Sequence, residues 1–302
     1  MKIGMIGLGR MGLNMAKRLL RHDQEVAAFN RTPEKTRELA QHGAMAAFSL
    51  EELVAALPFP RAIWMMLPAG ELVDQYLEKL LPLLSPGDVV VDGANSDYRD
   101  SRRRAKALAD QRLIFMDVGV SGGIWGLRNG YCLMIGGSKQ GFVHLEQVFE
   151  ALAPKGGYRL CGPSGAGHFV KMVHNGIEYG MMQAYAEGFA LMEASPYTED
   201  FDLQKIAQLW NQGSVVRSWL LELVEKSLRQ DPRLAELQPY VEDSGEGRWM
   251  VREALDNAVS MPVITQSLME RFRSRDKNSF GDRMLAAMRR EFGGHAVQTR
   301  KE

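Results

Sequence analysis

The sequence predicts an α/β domain with a doubly wound parallel sheet, followed by an all-α domain. Three observations carry this reading. The first half alternates short apolar runs with helical patterns, and strands separated by helices imply crossover units and a parallel sheet covered on both faces. Past Gly162-Pro163-Ser164-Gly165-Ala166-Gly167 no convincing strand pattern remains. A chain of 302 residues has room for two domains, here expected at 1–163 and 164–302.

Strands are expected over 2–8, 25–29, 62–67, 89–92, 113–118 and 131–135. Helices are expected over 11–21 and 33–43, the latter with Thr32 as N-cap and Pro33 in its first position. The second half then reads as helices over 168–195, 203–211, 215–229, 249–260, 263–275 and 280–292, with Pro232 and Pro239 bracketing a loop. The run Arg102-Arg103-Arg104 reads as a solvated helix face.

Composition narrows the function. Lys plus Arg equals Asp plus Glu at 37 each, so the basic excess of a nucleic-acid binder is missing. A phosphorylated substrate needs only a local basic patch. Cys132 and Cys161 are too few for a disulfide framework and fit no zinc spacing; they are expected as small buried hydrophobes, and no metal site is expected. The N-terminus opens directly on a strand pattern without the features of a signal peptide, and no apolar run approaches the roughly 20 residues that span a bilayer. A cytoplasmic enzyme away from membranes is the expectation.

Gly7-Leu8-Gly9-Arg10-Met11-Gly12 follows the first strand and opens the first helix, the context that makes this spacing a Rossmann dinucleotide fingerprint. Gly7 permits the tight turn, Gly9 admits a pyrophosphate to the backbone, and Gly12 lets helix and strand pack closely. The helix N-terminus then favours the phosphates. After the second strand stands Asn30-Arg31-Thr32 rather than an acid. A guanidinium there suits the 2′-phosphate of NADP, with NAD as the alternative if Arg31 is merely solvated and Thr32 merely caps a helix.

The helical segment 168–179 carries Lys171, His174, Asn175 and Glu178 at offsets of zero, three, four and seven, one face of one helix. An amine, an imidazole, an amide and a carboxylate on one face have the composition of an acid–base site. Repeated Glu–Lys pairs would instead mark a solvated face. Gly176, Gly180 and Gly188 on the same helix suggest close approach by a neighbour. Two loops at strand ends, Asp92-Gly93-Ala94-Asn95-Ser96 and Ser121-Gly122-Gly123, lie where open α/β sheets bind ligands.

Together these segments resemble decarboxylating 6-phosphogluconate dehydrogenase, within the broader β-hydroxyacid dehydrogenase superfamily, over nearly the whole chain to Phe292-Gly293-Gly294-His295. The resemblance implies oxidation and decarboxylation of 6-phosphogluconate to ribulose 5-phosphate by a nicotinamide cofactor. It implies Lys171 as general base and acid, and Glu178 as the acid that protonates the product carbon. Asn95, Ser121, Gly122, Gly123, His174 and Asn175 would contact the sugar acid, Tyr179 and Arg271 its phosphate. Arg289 and His295 belong to a tail that reaches a neighbouring subunit's site, so a homodimer or higher homo-oligomer is implied. Cofactor contacts fall to Gly7, Leu8, Gly9, Arg10, Met11, Gly12, Asn30, Arg31, Thr32, Met66, Leu67 and Asn95. The chain departs from the longer members in having room for one copy of the helical half. It also holds Ser244 and Glu246 where the family offers a Lys and a Thr, which weakens the expected phosphate contact because a carboxylate repels a phosphate. Two other readings stand beside this one: a hydroxyacid dehydrogenase for an unphosphorylated acid, and a non-catalytic NADP sensor. Three cationic groups, Arg271, Arg289 and His295, argue against the first; retention of Lys171 and Glu178 argues against the second.

Overall fold

The computed structural model describes residues 1–293 and 296–298. Two compact units form, Met1–Asn175 and Gly176–Glu302. The first contains β1 (Lys2–Ile6), α1 (Arg10–Arg21), β2 (Glu25–Phe29), α2 (Pro33–Ala40), β3 (Met45–Ala47), α3 (Leu50–Ala55), β4 (Ala62–Met65), α4 (Glu71–Leu80), β5 (Val89–Asp92), α5 (Tyr98–Ala109), β6 (Ile114–Ser121), α6 (Gly126–Asn129), β7 (Cys132–Gly137), α7 (Lys139–His144), α8 (Glu146–Leu152) and β8 (Tyr158–Gly162). A 28-residue helix, α9 (Ala166–Glu193), begins in this unit and continues into the second.

The strands form one sheet in the order β3-β2-β1-β4-β5-β6-β7-β8. Their near-continuous apolar runs are explained by two-sided burial. Side chains alternate between faces, so Ile3, Met5, Trp64, Val89 and Val91 enter one core while Ile6, Ile63, Met65 and Val90 enter the other. Full burial of each such side chain contributes about 1.5–3 kcal/mol. The chain order reverses at β1, between β2 and β4, which is the switch point where doubly wound sheets take ligands.

The structure corrects several sequence expectations. The sheet is not wholly parallel: β7 runs antiparallel to β6. Only residues 122–131 separate these strands, and a parallel crossover needs a dozen or more. Strands β3 and β8 carry too weak a pattern to be expected. β3 is three residues of Met and Ala that pair with β2, and β8 is a polar edge strand of alternating exposure. Pairing with a formed neighbour, rather than propensity, makes them strands. Both cysteines are exposed rather than buried: Cys132 opens β7 and Cys161 lies on the open edge of β8. Thr32 occupies the N-cap of α2 without a side-chain capping bond. Arg104, expected in solvent, is buried at 1% exposure.

The second unit contains α10 (Leu203–Trp210), α11 (Trp219–Gln230), α12 (Glu246–Asp256), α13 (Pro262–Arg275) and α14 (Phe280–Gly293). No strand follows Gly162 among the described residues. α11 starts later than the apolar pattern suggested, because Ser218 caps it through Leu221 N and Val215 is left exposed. No helix is long and apolar enough to cross a membrane among the described residues.

Candidate active site

The glycine turn is built as its spacing demands. Gly7 has φ +90°, and a Cβ there would lie 2.3 Å from the Met66 carbonyl oxygen. A Cβ on Gly12 would lie 2.0 Å from the Gly7 carbonyl oxygen, whereas Gly9 faces open space. The turn thus abuts the end of β4 and leaves its outer side clear for a pyrophosphate at the N-terminus of α1. Arg10 is exposed and Met11 half-buried there. Asn30 braces the turn: its Oδ1 accepts from Leu8 N at 2.8 Å and its Nδ2 donates to Thr32 O at 3.0 Å. Arg31 and Thr32 stand exposed at the end of β2. Met66 and Leu67 are half-buried just beyond β4. These residues fit a nicotinamide dinucleotide.

α9 is seated on the sheet by buried polar contacts. Asp117 on β6, fully buried, accepts from Gly165 N at 2.6 Å and from His168 N at 2.9 Å, satisfying amide groups that a helix start leaves without partners. Gly119, one residue pair further along β6, lets the helix close in: a Cβ there would meet Lys171 Cβ at 2.3 Å. Lys171 is consequently 5% exposed. Its Nζ donates to Asn175 Oδ1 at 2.7 Å and lies 3.5 Å from His174 Nδ1, which is 3.1 Å from the same Asn175 oxygen. His174 Nε2 reaches Ser121 Oγ at 3.4 Å. The expected amine, imidazole and amide therefore converge, together with the hydroxyl that ends β6.

The neighbouring loop is tied in by Asn95. Its backbone is left-handed at φ 52°, a conformation Asn tolerates. Its side chain accepts from Val120 N at 2.9 Å and donates to Val120 O at 3.3 Å. Gly122 and Gly123 also have positive φ, so the turn after Ser121 takes a path that side chains disfavour.

In the second unit Glu178 is half-buried on α9, two turns past Lys171. Tyr179 is buried; its hydroxyl accepts from Ser244 N at 3.2 Å, and the Arg271 guanidinium stacks 3.6 Å from its ring centroid. Arg271 also donates to Glu242 O at 2.7 Å. Ser244 donates to the buried Glu246 in the first turn of α12. Of the three glycines expected to mark close approach on α9, Gly176 does so, with a Cβ there falling 2.0 Å from Met250 Sδ. Gly180 makes ordinary contacts and Gly188 faces open space. Arg289 is exposed on α14, and His295 lies outside the described residues.

Sequence reasoning missed Asp117, Gly119 and Arg104. For Arg104 a signal existed: Ser101, Arg104 and Leu108 share one stripe of α5, and all three are buried. Asp117 interrupts an apolar strand, a pattern that marks a buried acid with hydrogen-bonding partners.

A switch-point glycine turn and a buried amine held by an imidazole and an amide define a class, the nicotinamide-dependent oxidoreductases. Two family models narrow it. Residues 2–162 match the NAD binding domain of 6-phosphogluconate dehydrogenase and residues 167–294 match the C-terminal domain of the same enzyme. The chain belongs to the 6-phosphogluconate dehydrogenase family, whose members are decarboxylating NAD(P)-dependent oxidoreductases. It is 44% identical over 299 residues to the NAD(+)-dependent, decarboxylating 6-phosphogluconate dehydrogenase of Haloferax volcanii, covering 98% of each chain. It is 37% identical to the decarboxylating enzyme of Haemophilus influenzae, where the match covers 94% of this chain but 61% of that one. The Plasmodium falciparum 6-phosphogluconate dehydrogenase, solved in apo form and with NADP+ or 6-phosphogluconate, superposes with a TM-score of 0.84 at 28% identity, over 100% of this chain and 67% of that one.

Proposed function

We propose that this enzyme oxidises 6-phospho-D-gluconate at C3 and releases carbon dioxide to give D-ribulose 5-phosphate, with Lys171 as the proton-transferring group. The observation that carries the reading is the Lys171 amine, buried on a helix seated against β6 and held by Asn175 and His174. A bound nicotinamide would supply the acceptor for the C3 hydride. Lys171, neutral at that moment, takes the C3 hydroxyl proton. The product is a 3-keto acid with a carbonyl β to the carboxylate. The C1–C2 bond then breaks, and its electron pair moves into the C2–C3 bond and onto the C3 oxygen, where the ammonium of Lys171 stabilises the charge. Glu178 delivers a proton to the former C2, which becomes C1 of the product. Asn95, Ser121, Gly122, Gly123, His174 and Asn175 hold the sugar acid, and Tyr179 with Arg271 holds its phosphate.

Residues 1–163 serve the cofactor and 164–302 the substrate and self-association. The association is a homodimer in which Arg289 reaches the partner's site, and the enzyme works in the cytoplasm. Arg31 favours NADP, because its exposed guanidinium suits a 2′-phosphate. The deciding experiment follows reduced-cofactor formation and carbon dioxide release with a panel of sugar acids. Equimolar release of both from 6-phosphogluconate, and little turnover of unphosphorylated acids, supports the reading; preference for an unphosphorylated acid overturns it. In the same assay Arg31→Ala should lower kcat/KM for NADP about tenfold, the worth of about 1.4 kcal/mol, with little change for NAD. A wild-type preference for NAD would sink the cofactor assignment.

A further inference from the structure

The segments after β4 and β5 form adjacent walls at the C-terminal end of the sheet. The first, from Met66 to Gly70, abuts the glycine turn through the Met66 carbonyl. The second, from Gly93 to Ser96, is tied by Asn95 to Val120 and so to the Ser121 turn. One buried side chain joins the two. Arg104 Nη1 donates to Asp92 Oδ2 at 3.0 Å and to Ser96 Oγ at 3.1 Å. Its Nη2 donates to Gly70 O and Asp74 Oδ2, both at 2.9 Å, and its Nε donates to Asp74 Oδ1 at 2.9 Å. Asp92 and Ser96 are themselves buried, and Ser96 Oγ donates to Asp92 Oδ2 at 2.9 Å. Asp92 Oδ1 accepts from Ala94 N at 3.0 Å, which shapes the loop that presents Asn95. One helical turn before Arg104, Ser101 Oγ lies 2.7 Å from His168 Nδ1 in the first turn of α9.

We propose that Arg104 is a positioning residue for the reaction: its guanidinium locks the Gly70 turn on the cofactor side to the Asn95 loop on the substrate side. The inference rests on the function proposed above. Its physical basis is that hydride transfer demands donor and acceptor carbons about 3–3.5 Å apart, and a displacement of about 1 Å can lower the rate a hundred-fold. A planar fork that satisfies two carboxylates, a hydroxyl and a carbonyl at once holds two loops in a fixed relation. An ammonium cannot reproduce that geometry.

The test uses the full-length enzyme with NADP and 6-phosphogluconate, and the variants Arg104→Met, Arg104→Lys and Asp74→Asn. Arg104→Met should lower kcat about ten- to a hundred-fold while the dissociation constant for NADPH, read by fluorescence titration, changes by less than about threefold. The deuterium isotope effect from substrate labelled at C3 should rise, because misaligned hydride transfer becomes rate-limiting. A residue that only supported the fold would lower thermal stability without moving the isotope effect of the folded enzyme. Arg104→Lys should recover part of kcat, and Asp74→Asn should show a smaller loss with the same rise in isotope effect. Hydrogen exchange supplies a readout that needs no substrate. In all three variants the amides of Leu67, Ala69, Gly70, Ala94 and Val120 should exchange faster together, while those of β1 stay protected. A folded Arg104→Met enzyme with wild-type kcat and isotope effect overturns the proposal. If that variant does not fold, wild-type kcat, isotope effect and exchange in both Arg104→Lys and Asp74→Asn overturn it equally. If the wild type fails to oxidise 6-phosphogluconate but the exchange pattern appears, the functional reading falls and the coupling of the two loops stands.

Discussion

The two units bury their apolar side chains very differently. In the first, strands β1, β4 and β5 are closed on both faces, and Ile3, Trp64 and Val90 are fully buried. In the second, α14 alone exposes Phe280, Met284, Leu285 and Met288, which lie at spacings of four, five and eight on one face of the helix. A cavity of about 520 Å³ in this unit is lined largely by apolar groups, among them Met182, Phe189, Leu220, Val224 and Leu237. Its lining holds none of the proposed acid–base residues. The exposed apolar side chains of α14 are the kind of surface that interaction sites use, and the proposed homodimer would cover them. The polar chemistry divides likewise. Lys171 is held by an amide and an imidazole within the sheet unit, whereas Arg271 and Tyr179 form a cation–aromatic stack in the helical unit.

This contrast can be broken in four places. The largest effect is expected from Lys171→Ala, which removes the proposed base. Hydride transfer in rapid mixing should fall by about a thousand-fold or more, with the fold retained by circular dichroism; near wild-type oxidation would show that Lys171 is not the base. Next is self-association. Met284→Asp combined with Leu285→Asp should weaken dimerisation at least about a hundred-fold, roughly 3 kcal/mol, and abolish activity with it. A fully active monomer in sedimentation would overturn the proposed homodimer. Third, Arg271→Met should raise KM for 6-phosphogluconate about ten- to a hundred-fold, since a hydrogen bond to a charged group contributes about 1.5–3 kcal/mol. Cofactor KM should not move. An unchanged substrate KM would leave Arg271 as a packing partner of Tyr179.

The smallest effect concerns acid. Hydrogen bonding to Arg104, seconded by Arg103, lowers the Asp74 carboxyl from 3.8 to about 2. A depressed acid contributes stability that is fully present above its unfolded value and is lost as pH falls through its folded value. Denaturant midpoints should therefore decline between about pH 4 and pH 2, and Asp74→Asn should lack that part of the decline. An identical acid profile in Asp74→Asn would show that the Arg104 fork gains nothing from this carboxylate.

Much of this molecule is legible in its sequence. The glycine turn, the Lys171, His174 and Asn175 face, and the switch from sheet to helices all follow from local rules. Glycine spacing at a strand end fixes a turn, and helix periodicity places offsets of three and four together. What stayed hidden depended on partners distant in the chain. Asn30 and Asn95 read as ligand contacts, and the sequence did not show that their side chains also brace Leu8 N and the Val120 backbone. Arg104 read as a solvated charge; the stripe of α5 could have marked it as buried, but it does not reveal its partners Asp74, thirty residues earlier, or Asp92, twelve earlier.

The sequence by itself therefore determined most of the elements, the glycine turn and the polar face of α9, each set by spacing within a few turns of backbone. The tertiary structure alone decided the antiparallel turn of β7 and the pairing of β3 and β8. It also decided the seating of Lys171 against Gly119 and the burial of Arg104 between two loops. These depend on contacts between segments that only a folded sheet brings within hydrogen-bonding distance, and no local periodicity encodes which strand or carboxylate will be the neighbour.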